Sequence, residues 1–389
     1  MSRTDDVRAA ALGDKNAWRR PVIVSSDQTD STFSDKDAVW ADNASSSRYF
    51  GNAYACWTSF KDANSATAPA PIELSRSADG GTSWSPPAMV SPPVPTTATT
   101  GTSGCTIRTD STGVVYVFWE FADLGTGHSQ QLMARSFNGG LTFEHPRVVA
   151  NVVEVGKLDP VHVANGDPRL TFDGIAGART DSLPSVDIAN GAPSGRNATN
   201  EIVLGWSDGR RGLNREQALL QFSGTGGVRW TDPVDGTAAG DRPNFPAVAI
   251  APNGSTVYLV YDAFLTPWRY TTHSTRLMQG VVRQASRGGA NSGFATLHRG
   301  AVGDARGSSE NNLCCEFLGD YDYAAADNLS VSAVWNDVRN ATVCAVMNDY
   351  RQSFLAATRL PKPAPARDCP RTFGNSDIYG GIYPGQDHR

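Results

Sequence analysis

Four short polar runs stand directly ahead of stretches rich in small and β-branched residues. They are Ser34-Asp35-Lys36-Asp37, Thr180-Asp181-Ser182, Gly240-Asp241-Arg242-Pro243-Asn244, and the segment from Glu316 to Asp322. Carboxylates crowded in this way can do acid/base work, one giving a proton while another takes it. Tyr321 adds a phenol that a neighbouring base can turn into a nucleophile. Tyr321, Asp35 and a carboxylate drawn from Glu316, Asp320 and Asp322 are therefore the candidates for catalysis. Lys36, Asp181, Asp241, Arg242 and Asn244 are the candidates for holding a substrate, with Arg210 from the run Trp206-Ser207-Asp208-Gly209-Arg210. The simpler reading of any one acid is a partner for backbone amides of a turn. Asp320, Tyr321 and Asp322 as a set support a site equally well, because three polar groups crowd the start of a buried strand.

For these runs to meet, the strands behind them must converge. A strand pattern of alternating aromatic and β-branched residues returns at 52–57, 114–119, 201–206, 256–261 and 330–335, closing on Trp57, Trp119, Trp206, Tyr261 and Trp335. This density marks buried strands. Each copy follows a shorter strand of small residues, at 38–42, 105–110, 183–187, 245–249 and 323–327, so the repeating unit is an inner hairpin.

Three copies continue into a distinctive turn: Ser77-Ala-Asp79-Gly80-Gly81-Thr-Ser83-Trp84, Ser136-Phe-Asn138-Gly139-Gly140-Leu-Thr142-Phe143, and a decayed Ser223-Gly-Thr225-Gly226-Gly227-Val-Arg229-Trp230. The short polar side chain at the third position can bond the turn's own backbone, glycine supplies the positive φ of a tight hairpin, and the aromatic returns to the core. Such a turn joins the third and fourth strands of a four-stranded sheet. A chain of 389 residues with this repeat predicts one all-β domain, a six-bladed β-propeller with five blades as the fallback. Residues 14–30 read as the outer end of a further blade, residues 1–15 as a flexible or short helical segment, and residues 361–389 as a tail that helps close the ring.

The turns match the Asp-box, and the chain resembles the sialidase superfamily of Asp-box propellers. The stretches at 35–43, 317–327 and 369–381 are similar to bacterial sialidase-like, BNR-repeat proteins. The resemblance implies a glycoside hydrolase, exo-acting on an acidic sugar, with a tyrosine nucleophile at Tyr321 and an acid/base aspartate at Asp35. It also implies an arginine triad for the substrate carboxylate, and here the chain departs. Trp18-Arg19-Arg20-Pro21 has the wrong spacing for the first arginine. Cys314-Cys315-Glu316 stands where the third is implied, and Phe245 occupies the place of the nucleophile's glutamate partner. The alternatives are a propeller that binds carbohydrate or protein without catalysis, and another carbohydrate-active enzyme such as a polysaccharide lyase.

Composition narrows the partners. A net charge of −5 and only 19% charged residues give no basic surface for nucleic acid. No apolar run approaches the roughly 20 residues that span a bilayer. A monomer acting on a glycan is expected. Six cysteines without a CxxC pair predict disulfides rather than zinc, hence an extracellular protein, although the N-terminus lacks the apolar core of a signal peptide. The six histidines show no ligand spacing. Asp35/Asp37 and Asp320/Asp322 are of a type that binds calcium, yet neither forms an EF-hand-like loop; no cofactor is expected, and calcium stays open.

Overall fold

The computed structural model describes residues 1–26, 32–61, 69–94, 96–97, 99–166, 168–175, 177–287, 293–308 and 318–385. The chain is all-β, with 41% strand against 8% helix. Five antiparallel sheets follow one another. The first holds β1 (Phe33–Ala41), β2 (Ala53–Phe60), β3 (Ile72–Ser77) and β4 (Ala88–Met89). The second holds β5 (Thr100–Thr109), β6 (Val115–Asp123), β7 (His128–Ser136) and β8 (Arg147–Val153). A small pair, β9 (Lys157–Leu158) and β10 (Leu170–Thr171), lies in the linker to the third sheet, which holds β11 (Ser185–Ile188), β12 (Ile202–Asp208), β13 (Gln217–Ser223) and β14 (Val234–Asp235). The fourth holds β15 (Arg242–Ile250), β16 (Thr256–Phe264), β17 (Leu277–Ser286) and β18 (Ala295–Arg299), with β19 (Gly303–Asp304) pairing β17. The fifth is β20 (Tyr323–Ala326), β21 (Ser330–Asp337) and β22 (Asp377–Pro384).

The sequence predicts six such units, or five as the fallback; the described residues build five. Residues 14–26 form a single 3-10 turn (Lys15–Ala17) and extended chain rather than the outer end of another sheet, because a bridge from Thr4 to Trp18 folds this segment back on the N-terminus. Before it, Val7–Ala11 forms a short helix, α1. At the other end, β22 pairs with β21 along its whole length.

Sheet packs on sheet through the aromatic and β-branched residues of the repeat. Tyr54, Cys56 and Leu74 of the first sheet meet Ile107, Val115, Val117 and Trp119 of the second. Tyr116 and Phe118 continue onto Val186, Leu204 and Trp206 of the third. Val203 and Leu220 then meet Val248, Leu259 and Tyr261 of the fourth, and Ala247, Tyr258 and Val260 meet Val331, Ala333 and Trp335 of the fifth. Each of these side chains is almost fully buried, worth about 1.5–3 kcal/mol for a large apolar one. No comparable packing joins the fifth sheet to the first among the described residues. Val39, Tyr323, Val334, Ile378 and Ile382 stay exposed there.

The three Gly-Gly turns share one geometry. The Ser77 hydroxyl accepts from Gly81 N–H at 2.8 Å, and Asp79 Oδ1 accepts from the N–H groups of Thr82 and Ser83 at 3.0 and 2.9 Å. Asn138 and Thr225 hold the corresponding amides of Thr142 and Arg229. Gly80 and Gly81 carry φ of 66° and 84°, a region closed to most residues with a Cβ.

Two disulfides lie among the described residues. Cys56–Cys105 ties β2 to β5, and Cys344–Cys369 ties the helix α2 (Ala345–Ser353) to α3 (Pro365–Asp368). Cys314 and Cys315 lie outside the described residues. No described helix is long and apolar enough to cross a membrane.

Candidate functional site

The inner strands β1, β5, β11, β15 and β20 contact one another in sequence, so their starts come together at one end of the molecule. Three of them carry a β-bulge near that end: between Asp35 and Ala38, between Ser103 and Thr106, and between Asn244 and Ala247. In each bulge one residue takes a left-handed backbone, Lys36 at φ 57°, Gly104 at 69° and Phe245 at 48°. Glycine does this freely. Lysine and phenylalanine do not, and a strained backbone held by its surroundings commonly marks a site.

The bulge buries Lys36, which is 4% exposed. Its ammonium lies 2.6 Å from Asp320 Oδ2 and 3.3 Å from Asp181 Oδ2. Arg179 bridges the same two acids, at 3.3 Å from Asp181 Oδ2 and 3.6 Å from Asp320 Oδ1. The Tyr321 ring sits with its centroid 5.5 Å from Lys36 Nζ. Lys36 on the first sheet, Arg179 and Asp181 ahead of the third, and Asp320 ahead of the fifth thus meet at one point. Asp37, Trp40, Arg108, Asp181, Asp320, Tyr321 and Tyr323 line an adjoining cavity of about 680 Å³, a volume suited to one or two sugar rings. Trp40, with the Arg108 guanidinium 4.4 Å from its ring, and Tyr323, with its ring 6.0 Å from that of Tyr321, give this cavity aromatic walls.

Electrostatics divides the group. Burial works against the charge on Asp181, but Arg179 and Lys36 outweigh it and hold its pKa below the usual carboxylate value. Tyr321 moves the other way: burial and then the charge of Asp320 push its phenol well above the ordinary value, so it stays protonated. A tyrosinate nucleophile would need the opposite environment.

Of the remaining expected site residues, Asp322 also lines this cavity and the others fall elsewhere or outside. Glu316 lies outside the described residues. Asp35 is exposed, and its Oδ1 accepts from Lys36 N–H at 2.8 Å, stabilising the bulge. Asp322 is buried against Asp262 and accepts from the Asn336 N–H at 3.2 Å; burial and then the Asp262 charge push its pKa far up. Arg242 is not in the cup. Its guanidinium is sequestered by Glu216, at 2.7 and 2.9 Å, and by the Thr266 and Phe172 carbonyls. Arg210 is likewise held by Asp208 at 2.7 and 2.9 Å. Asp241 receives both Arg299 nitrogens and the Tyr261 hydroxyl. Asn244 accepts from the Thr180 hydroxyl at 2.5 Å, which orients the segment carrying Asp181.

The structure also shows residues that sequence reasoning missed. Arg179 precedes the Thr180-Asp181-Ser182 run by one position and was legible only as a neighbour of it. Glu120 and Glu154 meet between the second and third sheets, close to Asp181. Burial and then mutual repulsion raise Glu120 well above its ordinary value, while burial and the charge of Asp181 push Glu154 up to about 7. Glu120 directly follows the strand ending in Trp119, a faint signal. Nothing in the sequence around Glu154 marks it.

No known protein family profile matches the chain, and no curated protein matches it. Among solved structures, the GH93 α-L-arabinofuranosidase of Fusarium graminearum is similar at 14% identity, covering 90% of this chain and 92% of that one with a TM-score of 0.44. The NanB sialidase of Streptococcus pneumoniae is similar at 10% identity over 83% of this chain and 59% of that one, with a TM-score of 0.42. An N-acetylgalactosamine deacetylase from F. plautii is similar at 12% identity over 90% and 89%, with a TM-score of 0.39.

Proposed function

We propose that the protein is an extracellular glycoside hydrolase built as a five-bladed β-propeller, with its active site in the cup where the inner strands begin. The observation that carries this reading is the pair Asp181 and Asp320, held on one Lys36 ammonium and one Arg179 guanidinium beside Tyr321 at the mouth of an aromatic-walled cavity. Glycoside hydrolysis needs a carboxylate near the anomeric carbon and a proton donor at the departing oxygen. Asp320, beside the cavity, is the carboxylate; Lys36 and Arg179 fix its position. The Tyr321 hydroxyl hydrogen-bonds the sugar rather than attacking it; Asp322, protonated on the same cavity wall, gives its proton to the departing oxygen while Asp320 takes one from the attacking water. The disulfides support an extracellular setting.

The substrate is a neutral sugar. Two guanidiniums at the cup are matched to carboxylates, Arg179 to Asp181 and Asp320 and Arg108 to Asp187. An acidic sugar would have to displace one of these acids, at the cost of leaving it unpaired. This pairing favours a neutral glycoside over the acidic sugar that the sialidase resemblance implies.

The test is hydrolysis of a fluorogenic glycoside panel containing neutral arabinosides, galactosides and glucosides beside a sialoside, for the wild type and Asp320→Asn. Turnover of a neutral glycoside that falls at least about 100-fold in the variant supports the proposal. Turnover of the sialoside alone overturns the neutral-sugar assignment. A folded protein without turnover, which nonetheless binds a glycan array, is a binding propeller.

A further inference from the structure

A second cluster of oxygens lies in the seam between the second and third sheets, a residue beyond Asp181. Glu120 on β6 and Gln131 on β7 are directly opposite in the register, so both side chains leave the same face of the second sheet. Glu154 follows β8 and is held from the side by the Ser129 hydroxyl, which donates to its Oε1. Ser182 closes the group from the third-sheet side, its carbonyl accepting from Gln131 Nε2 at 2.6 Å.

Four buried oxygens of this cluster lack a well-aligned hydrogen bond, Glu120 Oε1, Glu154 Oε2, Gln131 Oε1 and Ser182 Oγ, although Glu120 and Ser182 both lie against the Glu154 side chain. Glu120 is 2% exposed, and Gln131 and Ser182 are fully buried. The Gln131 amide cannot be turned round to satisfy the acids, because only its nitrogen can face the Ser182 carbonyl. Unpaired buried acceptors are costly, and two carboxylates in contact repel. A cation held between the two carboxylates would remove the repulsion and give these acceptors a partner.

We propose that Glu120, Gln131, Glu154 and Ser182 bind a hard divalent cation, calcium first. The donor set is oxygen alone, two carboxylates with an amide and a hydroxyl, which suits calcium or magnesium and not zinc or copper. Among the described residues no group of three or more His, Cys, Asp and Glu is spaced for a metal, so this site depends on its two neutral oxygens, with water completing the shell. The ion ties the linker ahead of β11 to the second sheet, and thereby fixes Asp181 beside the cup.

The experiment uses the full chain stripped with EDTA, titrated with calcium chloride by isothermal calorimetry and followed by thermal unfolding with and without calcium. One saturable site per chain, and a Tm raised by a few degrees in millimolar calcium, is expected. Glu154→Gln and Gln131→Leu should each weaken binding at least tenfold; the pair guards against a folding defect in either one. Absence of saturable binding of calcium, magnesium or manganese to the stripped wild type overturns the proposal and leaves the two glutamates sharing a proton. Binding that survives undiminished in both variants overturns it too, since the ion is then elsewhere.

Discussion

Lys36 Nζ lies 2.6 Å from Asp320 Oδ2, and this ion pair joins the opening strand of the first sheet to the turn that leads into the fifth. It is the described polar link across a seam that lacks the apolar packing of the other four. Both partners are largely shielded, with side-chain exposures of 3% and 17%. Replacing Lys36 by Met keeps the stem and removes the charge, leaving Asp181 and Asp320 facing each other with Arg179 alone. A loss of about 2 kcal/mol in urea unfolding is expected, below the full value for a buried pair because the acids retain some solvent. Glycoside turnover should fall at least about 100-fold in the same variant.

Arg242 tests the distinction between cup and scaffold. Arg242→Ala leaves Glu216 buried at 1% side-chain exposure without its partner. A stability loss of roughly 3 kcal/mol is expected, read as a lower urea midpoint, while the KM of protein still folded stays within about twofold of wild type. A large KM increase without loss of stability would place Arg242 on the substrate.

Asp262 and Asp322 give a pH dependence with a definite sign. Burial raises both well above the usual carboxylate value, and each is next to the other. The folded state therefore binds more protons than the unfolded chain above about pH 4, so this pair's contribution is greatest in acid and is lost as pH rises toward neutrality. Asp262→Asn removes one charge and offers an amide donor to Asp322. Urea midpoints measured from pH 5 to 8 should be higher for the variant at the upper end, and the gap should narrow as pH falls. A variant less stable than wild type at pH 8 would show that the pair is ionised and held by something else.

The Cys56–Cys105 bridge closes a loop with a sequence separation of 49. On chain-entropy grounds its loss costs about 4 kcal/mol. Cys56→Ser with Cys105→Ser should lower the melting temperature by several degrees, and adding a thiol reductant should then shift the double variant less than the wild type.

Much of the architecture was readable in the chain. The five strand copies ending in Trp57, Trp119, Trp206, Tyr261 and Trp335 are the five β2-type strands, because an aromatic and β-branched pattern has one stable use, burial between two sheets. The Gly-Gly turns were equally legible, since positive φ and an amide-binding side chain leave a residue-level trace. The sixth unit expected at 14–30 forms no sheet over 14–26, where a strand-like run is too short to show in sequence whether it finds a partner; 27–30 lie outside the described residues.

The cup was legible in part. Lys36, Asp181, Asp320 and Tyr321 stand in the polar runs and do meet. Asp241, Arg242 and Arg210 stand in similar runs and pair off inside or between sheets instead. Local sequence determined which residues could be charged at the strand starts, because propensity and turn chemistry act over a few residues. Which of them face one another was decided by tertiary structure: a bulge at Lys36 turns its side chain inward, and Glu120 and Glu154, 34 positions apart by their numbers, touch only once β6, β7 and β8 have paired into one sheet. Burial, and so the state of every acid in the site, belongs to that assembly and to no single segment of the chain.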